Sequence, residues 1–460
     1  MANTMSKPHV FITKWFGLQC AGTTVVREFR AGVTTFLAMA YILFVNPQIL
    51  APAIIIPGST DMTAQLLSAT ALSAAFGSIL MGFLGRMPIA LAPGMGLNAY
   101  FTYTVVLGHG VSWQTALGAV FVSGVVFLIL SVSGLREAIV NAIPLPIKRA
   151  SGAGIGMFLA LLGLQAGGIV VPNSATMIGL GHMASPQVLL ALAGIVLTGA
   201  LLLRKFPGAI LIGICFISFI AVIFNLPVFG GKEFSGFQNG LINLPVWPRD
   251  LVGALNIPAA MDFSIFGVVF TFLFVAFFDT AGTLLGLSEV AKFTDREGRI
   301  VRAGQAFATD AIATSVGAII GTSTTTAYME SAAGIEDGGK TGLVAIFTGI
   351  MFLLALFFWP LASAVPAVAT APALVILGAM LMEPTSRINW RDHQESIPAF
   401  LTMICMPLTF SIANGISLGI LTHVLVSALS GKAKSVHPVM YGLALVLLVK
   451  YLWFATARGA

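Results

Sequence analysis

Charge is what this sequence has least of. Only 9% of its 460 residues are Asp, Glu, Lys or Arg, against about 25% in an ordinary soluble domain. A chain so poor in charge and 57% hydrophobic cannot clothe a water-facing surface. That excludes a soluble globular class, and with it a nucleic-acid partner for the net charge of +6. Cysteine is scarce as well. Cys20, Cys215 and Cys405 stand singly and far apart, which excludes a disulfide framework and a thiolate metal site. The six histidines have no ligand spacing, so neither a metal nor a cofactor is expected. The opening stretch "MANTMSKPHVFITKWFG" has no apolar run followed by a cleavage site, so a cleaved signal peptide is not expected either.

Apolar length is abundant, together with 34 Phe, 49 Gly and 22 Pro. A helix needs about 20 apolar residues to cross the hydrocarbon. Spans are predicted near 31–50, 66–84, 89–107, 113–133, 150–170, 186–203, 208–225, 263–287, 301–320, 322–336, 342–363, 366–382, 396–411 and 413–430. A further apolar stretch, 438–455, contains Lys450, a side chain that can snorkel from an interfacial helix. Counted on alternate sides of these spans, nineteen of the 23 Lys and Arg fall on one side. Lys232 and Arg249 lie opposite, in the long loop 226–262, and Lys450 and Arg458 lie beyond the last span. This is the positive-inside bias, and it predicts a multi-pass protein of the cytoplasmic membrane with its N-terminus in the cytoplasm.

Two segments resemble each other. Asn98-Ala99-Tyr100-Phe101 follows "APGMGL", and Thr326-Ala327-Tyr328-Met329 follows "GTSTT". Their offset of 228 residues is close to the 232 between the predicted starts of spans one and eight. Two seven-span units are therefore expected, the second inserted upside down because seven is odd. Pro93, Gly94 and Gly96 interrupt span three. Gly321, Ser323, Thr324, Thr325 and Thr326 open span ten. Threonine favours extended backbone, so each span is predicted as a short strand followed by a half-helix. Matched breaks of this kind point to a transporter's binding site, and half-helix N-termini offer free N–H groups to polar ligand atoms.

Within 263–287 a single charge, Asp279, stands in 25 residues. Such an acid costs roughly 3 kcal/mol on insertion scales. Glu330, after "TTTAYM", is similarly placed. A carboxylate can accept N–H bonds from a planar heterocycle and can also carry a proton, so both are candidates for substrate binding and proton coupling. The competing reading is a structural acid satisfied by hydroxyls such as those of Thr280 and Thr283. Thr283 shares the face of Asp279 one turn on. Phe278 and Tyr328 offer aromatic faces for a flat base. Gly282 and Gly286 form a G-x-x-x-G and are read as close helix packing. "GIEDGGKT", Gly334 to Thr341, fits the phosphate-loop pattern but lacks a strand before it and a soluble α/β domain around it. ATP hydrolysis is therefore rejected, and Glu336, Asp337 and Lys340 are read as a cytoplasmic turn.

"GVTTFLAMAYILFVNPQIL" (32–50), "APGMGLNAYF" (92–101), "FFDTAGTLLG" (277–286), "TAYMESAAG" (326–334) and "GGKTGL" (338–343) together resemble the AzgA-like purine permeases of the nucleobase–cation symporter and nucleobase–ascorbate transporter superfamily. The resemblance runs from about Thr23 to Leu429. It implies an all-α polytopic protein with the uracil-permease fold, fourteen spans in two inverted repeats. Its divisions would be a cytoplasmic segment 1–29, core halves 30–133 and 263–363, gate halves 134–225 and 364–430, an extracytoplasmic loop 226–262 and a tail 431–460. It implies that Asp279 and Glu330 bind the base, with Thr283 where the uracil permease has histidine, and with Met95, Gly96, Asn98 and Thr326 from the two breaks completing the pocket. Proton-coupled, elevator-like import of a purine follows, with lipid around the chain and a second copy as a candidate partner. "VNPQIL", "APGMGLNAYF" and "GTSTTTAYMES" look closer to the adenine branch, so adenine is the favoured base and guanine, hypoxanthine or xanthine the alternative. An anion transporter of the sulfate-permease type is the second reading. A channel or membrane enzyme is the third, without a nucleophile–base pair to support it.

Overall fold

The structure, a computed structural model, describes residues 13–59, 61–133, 144–229, 236, 240–262, 265–291, 293 and 300–457. Parts of the expected N-terminal segment, the 226–262 loop and the C-terminal tail fall outside these residues. The first half of the chain, counting helices of five residues or more, comprises α1 (Val25–Met39), α2 (Ile42–Leu50), α3 (Met62–Leu80), β1 (Leu91–Pro93), α4 (Met95–Ala99), α5 (Trp113–Ser133), α6 (Leu145–Ala166), the hairpin β2–β3 (Val170–Asn173, Met177–Leu180), α7 (Pro186–Leu203) and α8 (Ala209–Ile223). The second comprises α9 (Phe266–Ala291), α10 (Ala303–Ile320), β4 (Thr325–Ala327), α11 (Ser331–Glu336), α12 (Leu343–Ala355), α13 (Trp359–Ser363), α14 (Ala367–Met380), α15 (His393–Leu408), α16 (Ile412–Leu429) and α17 (Pro438–Ala457). Among the described residues, nine helices are long and apolar enough to cross a membrane.

Side-chain caps fix several of the helix starts. Thr24 accepts from the Arg27 amide ahead of α1, Ser185 from the Val188 amide ahead of α7, and Ser411 from the Asn414 amide ahead of α16. Each satisfies an N–H that the helix itself leaves open. Packing gathers the helices into two groups. In one, α1 lies against α11 and α12, α3 against α10 and α12, and α5 against α9 and α10. In the other, α6 lies against α14 and α15, α7 against α8 and α14, and α15 against α16.

The two irregular segments meet inside the first group. β1 and β4 pair antiparallel, with Ala92 opposite Thr326 and Pro93 opposite Thr325. A ribbon this short leaves peptide groups over, and side chains from the neighbouring helices satisfy them. Ser78 Oγ donates to the Leu91 carbonyl at 2.9 Å and accepts from its amide at 3.0 Å. Thr314 Oγ1 donates to the Thr325 carbonyl at 2.8 Å, and the Ala90 amide donates to Ser331 Oγ at 3.0 Å. The Gly94 amide donates to the Thr324 carbonyl at 2.8 Å. Non-helical backbone at membrane depth requires such a jacket. Past α4 the chain continues as a π-helix, Tyr100–Gly108.

The likeness between residues 98–101 and 326–329 is not one of position. Asn98 and Ala99 lie in α4, whereas Thr326 and Ala327 lie in β4. The strands themselves, 91–93 and 325–327, are 234 residues apart.

Asn98 is fully buried behind this ribbon. Its amide donates to Asn46 Oδ1, and its carbonyl oxygen accepts from Ser323 Oγ. Asn46 Nδ2 donates in turn to Thr70 Oγ1 at 2.7 Å and Thr322 Oγ1 at 3.1 Å. The network ties α2, α3, α4 and the segment before β4. Truncation at Asn46 leaves buried polar partners unmatched, which costs about 1–3 kcal/mol. Asn46→Ala is expected to lower the melting temperature of the detergent-solubilised protein. An unchanged transition would show the network to be energetically idle.

Candidate substrate site

Asp279 and Glu330 reach one cavity of about 200 Å³ between the two helix groups. Asp279 and Thr283 reach it from α9. Gly94, Met95 and Gly96 supply the wall where β1 gives way to α4, and Thr326, Tyr328 and Glu330 the wall where β4 gives way to α11. Ile155 and Leu159 of α6 and Leu377 and Met380 of α14 close the far side. Seven of the nine residues expected at a site thus share one cavity. Asn98 is not in its wall, because both ends of its amide are spent on the network behind. Phe278 lies on α9, but its side chain is outside the described residues.

The local geometry follows from small residues at close approaches. At Gly94 a methyl group would sit 2.8 Å from Thr326 Oγ1 and 3.7 Å from Asp279 Oδ2. Only a residue without a side chain lets strand, threonine and acid converge there. Thr326 Oγ1 and the Asp279 carboxylate thus lie on the same side of Gly94. The Tyr328 hydroxyl donates to the Pro93 carbonyl at 2.6 Å, an acceptor that strand pairing leaves open, and so holds its ring against the cavity. At Gly96 a methyl would come within 2.6 Å of Ile155 Cγ2, so the α4 backbone lies directly on the other helix group. Among the described residues a methyl at Gly282 meets nothing within 4 Å, so the expected packing contact is not seen there, whereas one at Gly286 would lie 2.8 Å from Met329 Cε.

Sequence reasoning misses two partners. Tyr41, between α1 and α2, donates its hydroxyl to Glu330 Oε1 and lines the cavity. A phenol inside an otherwise apolar span is the signal that could have found it. Asp310 of α10 is fully buried and accepts from Thr280 Oγ1 at 2.8 Å. Thr280 therefore serves Asp310, which counts against the competing reading of Asp279 as a structural acid satisfied by that hydroxyl. Among the described residues no group of three or more His, Cys, Asp or Glu could hold a metal ion.

Chemically, the cavity is a small slot with largely apolar walls and two carboxyl groups in its lining. Its volume is below the roughly 300–1,000 Å³ of pockets for drug-sized ligands. It suits a single compact molecule that presents N–H donors on its edge and flat faces to Met95, Ile155 and Tyr328.

Residues 27–418 match the model of the Permease family. The chain is 43% identical to a guanine/hypoxanthine permease of Bacillus subtilis, over 94% of this chain and 97% of that protein. It is 38% identical to an adenine permease of Escherichia coli, over 93% of each. Among solved structures, the transmembrane domain of a cyanobacterium bicarbonate transporter superposes with a TM-score of 0.61 at 15% identity, covering 84% of this chain and 96% of that one.

Proposed function

The chain belongs to the Permease family, and from that premise we propose that it is a proton-coupled symporter carrying a purine nucleobase across the cytoplasmic membrane. It is a multi-pass membrane protein and not an enzyme. The observation that carries the reading is the shared cavity of Asp279 and Glu330, in a chain whose relatives include purine permeases. Each carboxylate accepts N–H bonds from the edge of the base, while Tyr328 and the apolar walls hold its faces. One carboxyl group carries the proton, so that one cavity couples the two cargoes.

The cavity is walled from both helix groups, so sliding of one against the other exposes it to each side in turn. This supports an elevator-like cycle in which 30–133 and 263–363 form the moving core, and 134–225 and 364–430 the gate. The seven-span units are then inverted repeats, for which the 234-residue strand offset is support. The basic loops put the N-terminus in the cytoplasm. On that orientation the cavity end lined by Leu381, Glu383 and Pro384 faces inward. A second copy of the chain is the proposed partner.

Which purine is carried does not follow from overall likeness. The sequence motifs lean to adenine, yet the guanine/hypoxanthine permease is the more similar of the two at 43% against 38%. Competition of labelled purine uptake by adenine, guanine, hypoxanthine and xanthine ranks them. Uptake above equilibrium should stop with a protonophore. Accumulation that survives the protonophore and stops on sodium omission would overturn the proton assignment. The anion reading rests on the fold of the bicarbonate transporter, and two acids lining the cavity argue against it.

Tyr41 is expected to hold the Glu330 carboxylate in place. Tyr41→Phe keeps the ring and removes the donor. Hydrogen bonds to charged groups are worth about 1.5–3 kcal/mol, so purine affinity should fall by at least about tenfold. Wild-type affinity in a labelled-base binding assay would remove Tyr41 from the site.

A further inference from the structure

The phosphate-loop look-alike has an occupant. Glu28 of α1 is fully buried. Its Oε1 accepts from the Lys340 amide at 3.0 Å and from Thr23 Oγ1 at 2.8 Å. Its Oε2 accepts from the Thr341 amide at 3.0 Å and from Thr341 Oγ1 at 2.6 Å. A glycine-rich turn whose successive amides and hydroxyl converge on one point is an anion nest. Here the anion is a carboxylate of the chain itself. A buried carboxylate is tolerable only when its oxygens are satisfied, and Glu28 has four donors.

Further ties run along the same helix. Arg30 pairs with Asp337 at 2.9 Å and also donates to the Asp337 carbonyl at 2.9 Å, and Thr34 Oγ1 donates to Asp337 Oδ2 at 3.0 Å. Gly334 of α11 lies so close to α1 that a methyl group there would run into Thr35 Oγ1 and the Ala31 carbonyl. Beyond α1, Tyr41 holds Glu330. The strip from Glu330 to Thr341 is thus fastened to α1 and its extension at four levels, with Glu28 at one end and the substrate carboxylate at the other.

We propose that Glu28 is a positioning residue, whose seat on the Lys340–Thr341 turn fixes the α11 strip against α1 and thereby sets where Glu330 stands in the cavity. This rests on the proposed function, because it assigns Glu28 an effect on base binding through Glu330. The sequence pattern Gly334–Thr341 then serves to grip a carboxylate of its own chain.

The test uses the full-length protein in membranes. Glu28→Gln places an amide N–H against the backbone N–H groups, and Thr341→Val removes one donor while keeping the shape. Glu28→Gln should raise the KM for labelled purine by about tenfold or more, within what a displaced binding group costs, after correction for membrane abundance. Thr341→Val should raise it less. In a Glu330→Gln background Glu28→Gln should add nothing further. Should Glu28→Gln fail to reach the membrane, Thr341→Val alone and with Glu330→Gln is judged by the same criteria. Unchanged KM, or effects that multiply with Glu330→Gln, would overturn the positioning role. Amide hydrogen exchange over 331–341 reads the clasp without any substrate. Faster exchange in Glu28→Gln is expected, and unchanged exchange overturns the clasp. Absence of purine uptake by the wild type alongside faster exchange in the variant would overturn the transport reading and the positioning role while leaving the clasp standing.

Discussion

Asp279→Asn is expected to abolish accumulation of purine above equilibrium while binding and base-for-base exchange persist. Asparagine keeps the size of aspartate and one acceptor oxygen, so a base N–H retains an acceptor. It can neither release nor take up a proton. The substitution should be well tolerated by the fold, because the expensive state of a carboxyl group at membrane depth is the ionised one. If Asp279 carries the proton, the variant becomes a carrier that equilibrates base without concentrating it. Uptake and counterflow in vesicles, with and without an imposed pH gradient, separate these behaviours. Full gradient-driven accumulation would exclude the coupling role. Joint loss of exchange, binding and membrane abundance would make Asp279 a structural acid.

Glu330→Gln should weaken base binding by roughly 10- to 150-fold, the equivalent of the 1.5–3 kcal/mol assigned to a hydrogen bond with a charged group. Glu330 stands at the start of α11, where Tyr41 donates to one of its oxygens. In the proposed site the carboxylate also accepts from the base. Glutamine presents one acceptor, which Tyr41 competes for, and turns a donor toward the base. Equilibrium binding of labelled purine to the solubilised variant measures the loss. Wild-type affinity would return Glu330 to a purely structural role.

Much of the helical framework was legible because hydropathy and span length are local properties. The acids were legible for the same reason. Asp279 sits among Phe274, Val275, Phe277 and Leu284, where an ionised group has no solvent of its own. Asp310 was not, because Thr309, Thr314 and Ser315 give its helix a polar texture that hides an acid. The two breaks showed themselves through proline, glycine and three consecutive threonines. Their mutual pairing did not, since contacts across more than two hundred residues leave no mark in local composition. Asn98 shows the limit most clearly. Its position beside a break is readable, but which way it faces depends on Asn46 and Ser323, which lie far away in sequence. The far wall of the cavity, Ile155, Leu159, Leu377 and Met380, is made of residues that read as ordinary core. Tyr41 hid within a family-like stretch whose role in the site emerges only when α1 and α11 are seen side by side.

The most direct test of proton-coupled purine transport is the proton itself. Purified protein is reconstituted in liposomes enclosing a pH-sensitive dye, in sodium-free buffer, and purine is added outside. Acidification of the lumen that depends on the purine, and that disappears in Asp279→Asn, is the predicted result. Purine entry with no change in internal pH, or entry only when sodium is supplied, would contradict the account.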